Sequence, residues 1–241
     1  DRKWIFALAV IGIPAAHGLH GYVGFVFGSL KSREWWSSDL MPAVFLFSAI
    51  ISGTSLIIAL YVLSCKLRRI PVDLPCLKGM VYTLWGFVMF TLLLEAVEFA
   101  SLVYRGREGI DTIIEYVKGP LIIPFATLQF GIGSLVPLAV LTFMIWHGTT
   151  GKTLIAGATV SAILVLLAVL MMRWNVVVGG QEIAKTGKGL LDHHPLVFGK
   201  ESLVSGAAVL VAPFVLLWVM TRLFPPWHDA TSPHSALASA P

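Results

Sequence analysis

Residues 40–65 read LMPAVFLFSAIISGTSLIIALYVLSC, a stretch from Leu40 to Cys65 without one acidic or basic side chain. A helix needs roughly 20 mostly apolar residues to cross the hydrocarbon core, and this run exceeds that length. With no water at that depth, every backbone N–H and C=O must be satisfied within the segment, which selects a helix. The same pattern recurs on either side, at about Trp4 to Leu30, Leu77 to Tyr104, Pro120 to His147, Thr153 to Val178 and Leu203 to Phe224. The expectation is an all-α, polytopic membrane bundle of about six transmembrane helices over residues 1–225, followed by a Pro-, Ser- and Ala-rich disordered tail at 226–241.

Composition agrees with that reading. Apolar residues make up 57% of the 241 and charged residues 12%, about half the ~25% charge of a soluble domain. No length remains for an extrinsic nucleotide-binding or catalytic domain. The net charge of +4 comes from Lys and Arg in short loops, where anionic lipid explains them without nucleic acid. Loop Lys and Arg divide evenly between the two faces, so the positive-inside rule does not orient the chain. Cys65 and Cys76 flank one basic loop and supply neither a zinc pattern nor a disulfide framework. The pair Trp35 and Trp36, in the loop after the first span, suits the headgroup level.

Prolines at Pro14, Pro42, Pro124, Pro137 and Pro213 free backbone carbonyls that neighbouring helices must satisfy. Gly12, Gly18, Gly21, Gly24 and Gly28 offer close helix approach. Both features imply a packed bundle. Asp1 directly precedes the first apolar run with no signal-type leader, so an upstream portion is expected to be absent.

Ionisable groups at membrane depth are costly and usually mark a pathway or ligand. Five occur here: His17 and His20 in the first span, Glu95 and Glu98 in the third, and Arg173 near the end of the fifth. Each like pair is three residues apart and therefore shares a helix face. Counting 1.5 Å per residue from the face opposite the N-terminus puts His20 about 15 Å deep, Glu95 and Gln129 about 14 Å, and Glu98 and Arg173 about 9 Å. A polar file in one half of the membrane suits a proton half-channel or a quinone headgroup pocket. The plainer alternative is an Arg173 to Glu98 ion pair, with hydrogen-bonded histidines holding helices together. A bis-histidine haem needs ligands on facing helices at matched depth; His17 and His20 share one helix, His147 lies at the other face, and His193 and His194 lie in a loop. A metal clasped by the His and Glu pairs lacks the further carboxylates such bundle sites carry. Phosphate-loop, zinc-protease and serine-hydrolase motifs do not occur.

Three segments carry a likeness: GIPAAHGLHGYVGFVFGSLKSREWW (Gly12 to Trp36), LMPAVFLFSAIISG (Leu40 to Gly53) and MRWNVVVGGQ (Met172 to Gln181). Together they resemble the membrane subunits of the NrfD and polysulfide-reductase family, especially the longer branch with the hydrogenase anchor HybB and the sulfur-metabolism protein DsrP. The resemblance implies a quinone-interacting subunit in the prokaryotic cytoplasmic membrane. It would exchange electrons between menaquinol or ubiquinol, bound non-covalently, and an iron–sulfur, ferredoxin-like partner, with further membrane or cytochrome subunits and no haem or cluster of its own. It also implies roles for His17, His20, Glu95, Glu98, Arg173, Asn175 and Gln181. Members of the longer branch have about ten spans, and this chain is similar to their last six. Two rival readings stand beside it: a secondary transporter using the same polar residues, and a purely structural anchor.

Overall fold

A computed structural model describes residues 2–106, 109–186, 189–191, 197–198 and 202–223. The helices are α1 (Arg2–Gly28), α2 (Met41–Arg68), α3 (Leu74–Arg105), α4 (Ile110–Lys118), a π-helical segment π1 (Ile122–Leu135), α5 (Val136–Trp146), α6 (Gly151–Trp174), a second π segment π2 (Asn175–Gly179), a last turn α7 (Gly180–Glu182), and α8 (Leu203–Leu223). Among the described residues, six helical stretches are long and apolar enough to cross a membrane: Lys3–Gly28, Met41–Arg68, Leu74–Arg105, Ile122–Trp146, Gly151–Glu182 and Leu203–Leu223. The chain is therefore an all-α, multi-pass membrane protein, as its apolar runs predict. The end of the sixth expected span, Phe224, and the tail lie outside the described residues.

Two units divide the chain, residues 1–192 and 193–241. In the first, α2, α3, α5 and α6 pack around Ile58, Leu77, Leu84, Leu141, Ala158 and Val165, all nearly inaccessible. Burial of such side chains supplies dispersion contacts that lipid tails match only partly, so dense packing holds membrane helices together where the hydrophobic effect does not. Asp73 caps α3, its Oδ1 accepting from the Cys76 N–H at 3.4 Å. In the second unit the Ser202 hydroxyl accepts from the Ser205 N–H at 3.2 Å and starts α8.

α1 leans on α2 by one end only, and two glycines decide where. A Cβ on Gly24 would lie 2.6 Å from the Met41 carbonyl oxygen and 2.7 Å from the Pro42 Cα, and one on Gly28 would lie 2.5 Å from the Ser38 carbonyl oxygen. Around Gly12, Gly18 and Gly21 none of the described residues stands within 4 Å. Of the five glycines expected to admit a neighbour, Gly24 and Gly28 do so; the rest of α1 diverges. Its outward side chains, Trp4, Ile5, Phe6 and Ile11 among them, are strongly exposed, as suits contact with lipid.

The loop between α1 and α2 runs inward over the end of α6. Trp36 is buried, in edge contact with Phe27 at 5.2 Å between centroids, and Trp35 is half-buried. Both indoles have a specific reason to turn inward. The Trp36 Nε1–H donates to the Val176 carbonyl at 2.5 Å and the Trp35 Nε1–H to the Asn175 carbonyl at 3.2 Å. Arg33 Nη1 donates to the carbonyls of Gly180, Gln181 and Ile183 at 2.6, 3.3 and 2.9 Å. A helix end leaves its last carbonyls without intrahelical donors, and a π segment disturbs the ladder further. Three side chains from one loop supply what is missing. Gly180 must lack a side chain here, because a Cβ would overlap the Trp36 indole.

The 105–119 connection between two of the expected spans contains α4. Its sequence IDTIIEYVK buries Ile113 and Tyr116, which join Leu121 and Ile183 and pack with Trp35, Leu102 and Phe125. The amphipathic helix thus closes over the same end of the bundle.

Candidate functional site

Four of the sequence-predicted residues converge. Glu95 and Glu98 come from one face of α3, Gln129 from the middle of π1, and Asn175 from the first position of π2. Together with Trp35, Met41, Val44, Phe99, Leu102, Phe125, Phe130, Met172 and Val176 they line a half-open cleft with about 70 Å³ of free volume, enough for several ordered waters. The amides form a chain: Gln129 Nε2 donates to Glu95 Oε2 at 3.1 Å, and Asn175 Nδ2 donates to Gln129 Oε1 at 2.8 Å and to the Pro124 carbonyl at 3.2 Å. Gln129 and Asn175 are buried. The 14 Å depth that equates Glu95 with Gln129 from sequence therefore corresponds to a direct bond.

Four of the remaining wall residues are aromatic. Phe125 stands in edge contact with Trp35 at 5.8 Å and with Phe130 at 5.0 Å, and packs against Phe99 at 5.8 Å. Such spacing leaves flat apolar faces beside the carboxylate end. Glu98 lies nearer the loop end of α3, beside Ser38 and Arg105. Arg105 is itself held by the Ser37 carbonyl at 2.9 Å and the Ser101 hydroxyl. Beyond it, in the buried cluster under α4, the Tyr116 phenol donates to the Glu182 carboxylate. Burial, then that bond to a carboxylate, pushes the phenol above its ordinary range.

The other candidates sit elsewhere. Arg173 turns to α2: Nη2 donates to Ser48 Oγ at 2.8 Å and the Phe45 carbonyl at 3.3 Å, with the guanidinium 4.0 Å from the Phe45 ring centroid. The ion pair with Glu98 that sequence offers as the plainer alternative does not form, because α2 supplies both an aromatic face and oxygen acceptors. His17 and His20 fold back on their own helix, Nδ1 meeting the Ile13 carbonyl at 2.7 Å and the Ala16 carbonyl at 3.0 Å. They face the groove that opens between α1 and α2, beside Leu46, Ala49 and Thr54. Gln181 contributes its backbone carbonyl to Arg33.

Sequence reasoning missed Trp35, Phe99, Phe125 and Phe130. A phenylalanine within an apolar run carries no mark of whether it faces lipid or a cleft. Two π segments meet at the polar end, and such segments are rare and frequent at functional sites. The Pro124 and Pro137 pair was the one visible hint of irregular backbone there.

Comparison with known proteins gives this site a lineage. The chain is 31% identical over 74% of its length to the C subunit of the selenate reductase of Mesobacillus selenatarsenatis, covering 40% of that relative. It is 29% identical over 58% of its length to a Halobacterium salinarum protein named as the membrane-bound C subunit of a dimethyl sulfoxide reductase, covering 32% of it. The chain thus spans less than half the length of either relative. No solved structure matches it. The family profile described as polysulphide reductase, NrfD, matches residues 2–184, which takes in α1 to α7 and every residue of the cleft, and the chain belongs to the NrfD family.

Proposed function

We propose that the chain is the quinol-interacting membrane subunit, or part of it, of a reductase-type complex, and that the headgroup seats in the cleft between α2, α3, π1 and α6. One observation carries this reading: a membrane-embedded cleft with four aromatic side chains in its walls and, at its inner end, a carboxylate bonded to a buried glutamine that a buried asparagine holds in turn. The relatives' names, one a selenate reductase subunit and the other a dimethyl sulfoxide reductase membrane subunit, point the same way.

The residues present fit such a group. Trp35, Phe99, Phe125 and Phe130 offer faces to a planar ring, and the polar end offers acceptors and a titratable carboxyl. A quinol supplies two electrons and two protons when bound. Gln129, itself held by Asn175, orients Glu95 by fixing Oε2, which leaves Oε1 to take or return a proton at the inner end of the cleft. Glu98, one helical turn nearer the surface, receives each of the two protons in turn, with Ser38 bonded to it on the loop side and the Arg105 cation beside it favouring the charged carboxylate. The electrons pass to an iron–sulfur, ferredoxin-like partner on the face covered by α4 and the loop at 31–40. In this assignment His17, His20, Arg173 and Gln181 hold no part of the headgroup.

Glu95→Gln tests it in the intact complex. The amide keeps an acceptor for Gln129 and removes proton exchange, so quinol-linked turnover should fall by about 100-fold or more, with complex assembly and quinol affinity retained. Unchanged turnover overturns the assignment.

A further inference from the structure

The two ends of the bundle differ in charge. At the end away from the cleft, residues 66–78 and 147–152 carry Lys66, Arg68, Arg69, Lys78 and Lys152 against one acid, Asp73, whose carboxylate caps α3. At the cleft end, residues 29–40 and 105–119 carry five basic and five acidic side chains, which cancel. Packing gathers the basic residues at one place: Leu77, Met144 and Leu154 are buried in a single cluster, with Val62, Val72 and Leu74 against it. Among the described residues Lys66, Arg69, Lys78 and Lys152 meet no carboxylate.

A shallow groove begins beside these cations. It runs along the outer side of α5, lined by Leu135, Leu138, Ala139, Phe143, Trp146 and His147, with Thr142 among them. The polar atoms of its floor are already paired. The Thr142 hydroxyl donates to the Leu138 carbonyl at 2.7 Å and accepts the Trp85 Nε1–H at 2.9 Å. His147 Nδ1 faces the Phe143 carbonyl at 3.0 Å and therefore carries the proton, with its ring 4.1 Å from that of Phe143. Such a floor offers a polar helix nothing to bond to and suits a hydrocarbon chain.

The bond from Trp85 to Thr142 also sets the register of the cations. Lys78 precedes Trp85 by seven residues, two turns along the same face of α3 and about 10 Å nearer the basic end. His147 follows Thr142 by five residues, about 8 Å in the same direction, because α5 runs antiparallel to α3. Lys78 thus stands at the head of the groove, just beyond His147, and Lys152 follows on the next turn of chain. Trp146, 84% exposed, matches the indoles that sit at headgroup level.

We propose that this end of the bundle holds an anionic phospholipid, one acyl chain lying in the α5 groove and the phosphate headgroup between Lys78 and Lys152. Lys66, Arg68 and Arg69 draw the same lipid class to the surface, over the range of a Debye length. Each cation close to an anionic lipid surface contributes about fivefold in affinity. The two lysines at the groove together give a preference of about 25-fold over a zwitterionic lipid of the same chains, whose own ammonium offsets its phosphate.

Native mass spectrometry of the unaltered chain, titrated in detergent with phosphatidylglycerol and with phosphatidylcholine of identical chains, tests this. Phosphatidylglycerol should bind about 25-fold more tightly. Lys78→Gln and Lys152→Gln should each lower its affinity about fivefold and leave phosphatidylcholine unchanged, while Lys31→Gln, at the cleft end, should alter neither. Ala139→Phe fills the groove with every cation in place and should weaken both lipids. Equal affinity of the two lipids for the unaltered chain overturns the proposal, as does phosphatidylglycerol binding that neither lysine variant changes. Undiminished binding in Ala139→Phe overturns it too, since attraction would then come from a diffuse surface field and not from a groove. Displacement of the lipid by an equal concentration of inorganic phosphate would make the patch an anion site without a chain, and overturns it as well.

Discussion

Replacing Trp36 by Phe isolates one bond of the loop that caps α6. Phe keeps a ring against Phe27 and removes the pyrrole part of the indole with its N–H, whose bond to the Val176 carbonyl is 2.5 Å long and buried. The carbonyl belongs to π2 and has no water to turn to, so its loss costs about 1–3 kcal/mol, the desolvation of an unmet acceptor, and not merely the ~1 kcal/mol of an exchanged bond. Arg33→Met removes three further carbonyl bonds while keeping an apolar stem. Because the Arg33 guanidinium also lies 5.0 Å from the Trp36 ring centroid, the two changes should couple, with an interaction energy of about 0.5–1 kcal/mol. Unfolding of the detergent-solubilised chain by sodium dodecyl sulfate in mixed micelles, followed by helical circular dichroism, measures each variant and the double variant. A loss under about 0.5 kcal/mol for Trp36→Phe, below the range for an unmet buried acceptor, would show that the loop merely rests on α6, and strict additivity would refute the shared carbonyl cap.

Three other outcomes are expected. Gly24→Ala should destabilise the α1–α2 crossing by about 1–3 kcal/mol, since backbone atoms of Met41 and Pro42 must move, whereas Gly18→Ala, with open space around it, should be neutral or stabilising by up to about 1 kcal/mol; the same titration compares them. The raised Tyr116 phenol favours the neutral form in the folded chain, so its contribution is complete below the ordinary tyrosine pKa of about 10 and is lost as pH climbs through and beyond that value. Tyr116→Phe should lower stability at neutral pH and flatten the alkaline fall, as a melting series across pH would record. His20→Ala should leave quinol affinity at the cleft within about twofold, because the ring faces the α1–α2 groove; a tenfold loss would show that the histidine reaches the headgroup.

The spans were legible because an apolar run long enough to cross a bilayer has few other uses. Glu95 and Gln129 were legible through depth, a quantity that helical rise converts directly from residue number. Their partner Asn175 was reached only through family likeness, since an asparagine at a helix end is unremarkable. Two features escaped for physical reasons. The π segments depend on packing between π1 and α6, and no local preference announces a shift from four to five residues per hydrogen-bonded turn. Trp35 and Trp36 follow the habit of interfacial tryptophans in composition, yet unmet carbonyls some 140 positions later draw their N–H groups inward. Arg173 takes Ser48 and Phe45 as partners and not Glu98, because depth along a helix says nothing about which way a side chain faces.

The distance along the chain between the loop and the carbonyls it serves sets a timetable for biogenesis. Arg33 and Trp36 are separated from their acceptors by 140 to 150 residues, and a ribosome adding about 5–20 residues per second takes roughly 7–30 s to cover that stretch. During that interval the first hairpin sits in the membrane with its indole and guanidinium donors unanswered. The bundle closes only when the end of α6 emerges, so a chain released before Ile183 would leave its opening loop unfinished, and quality-control proteases would find it there first.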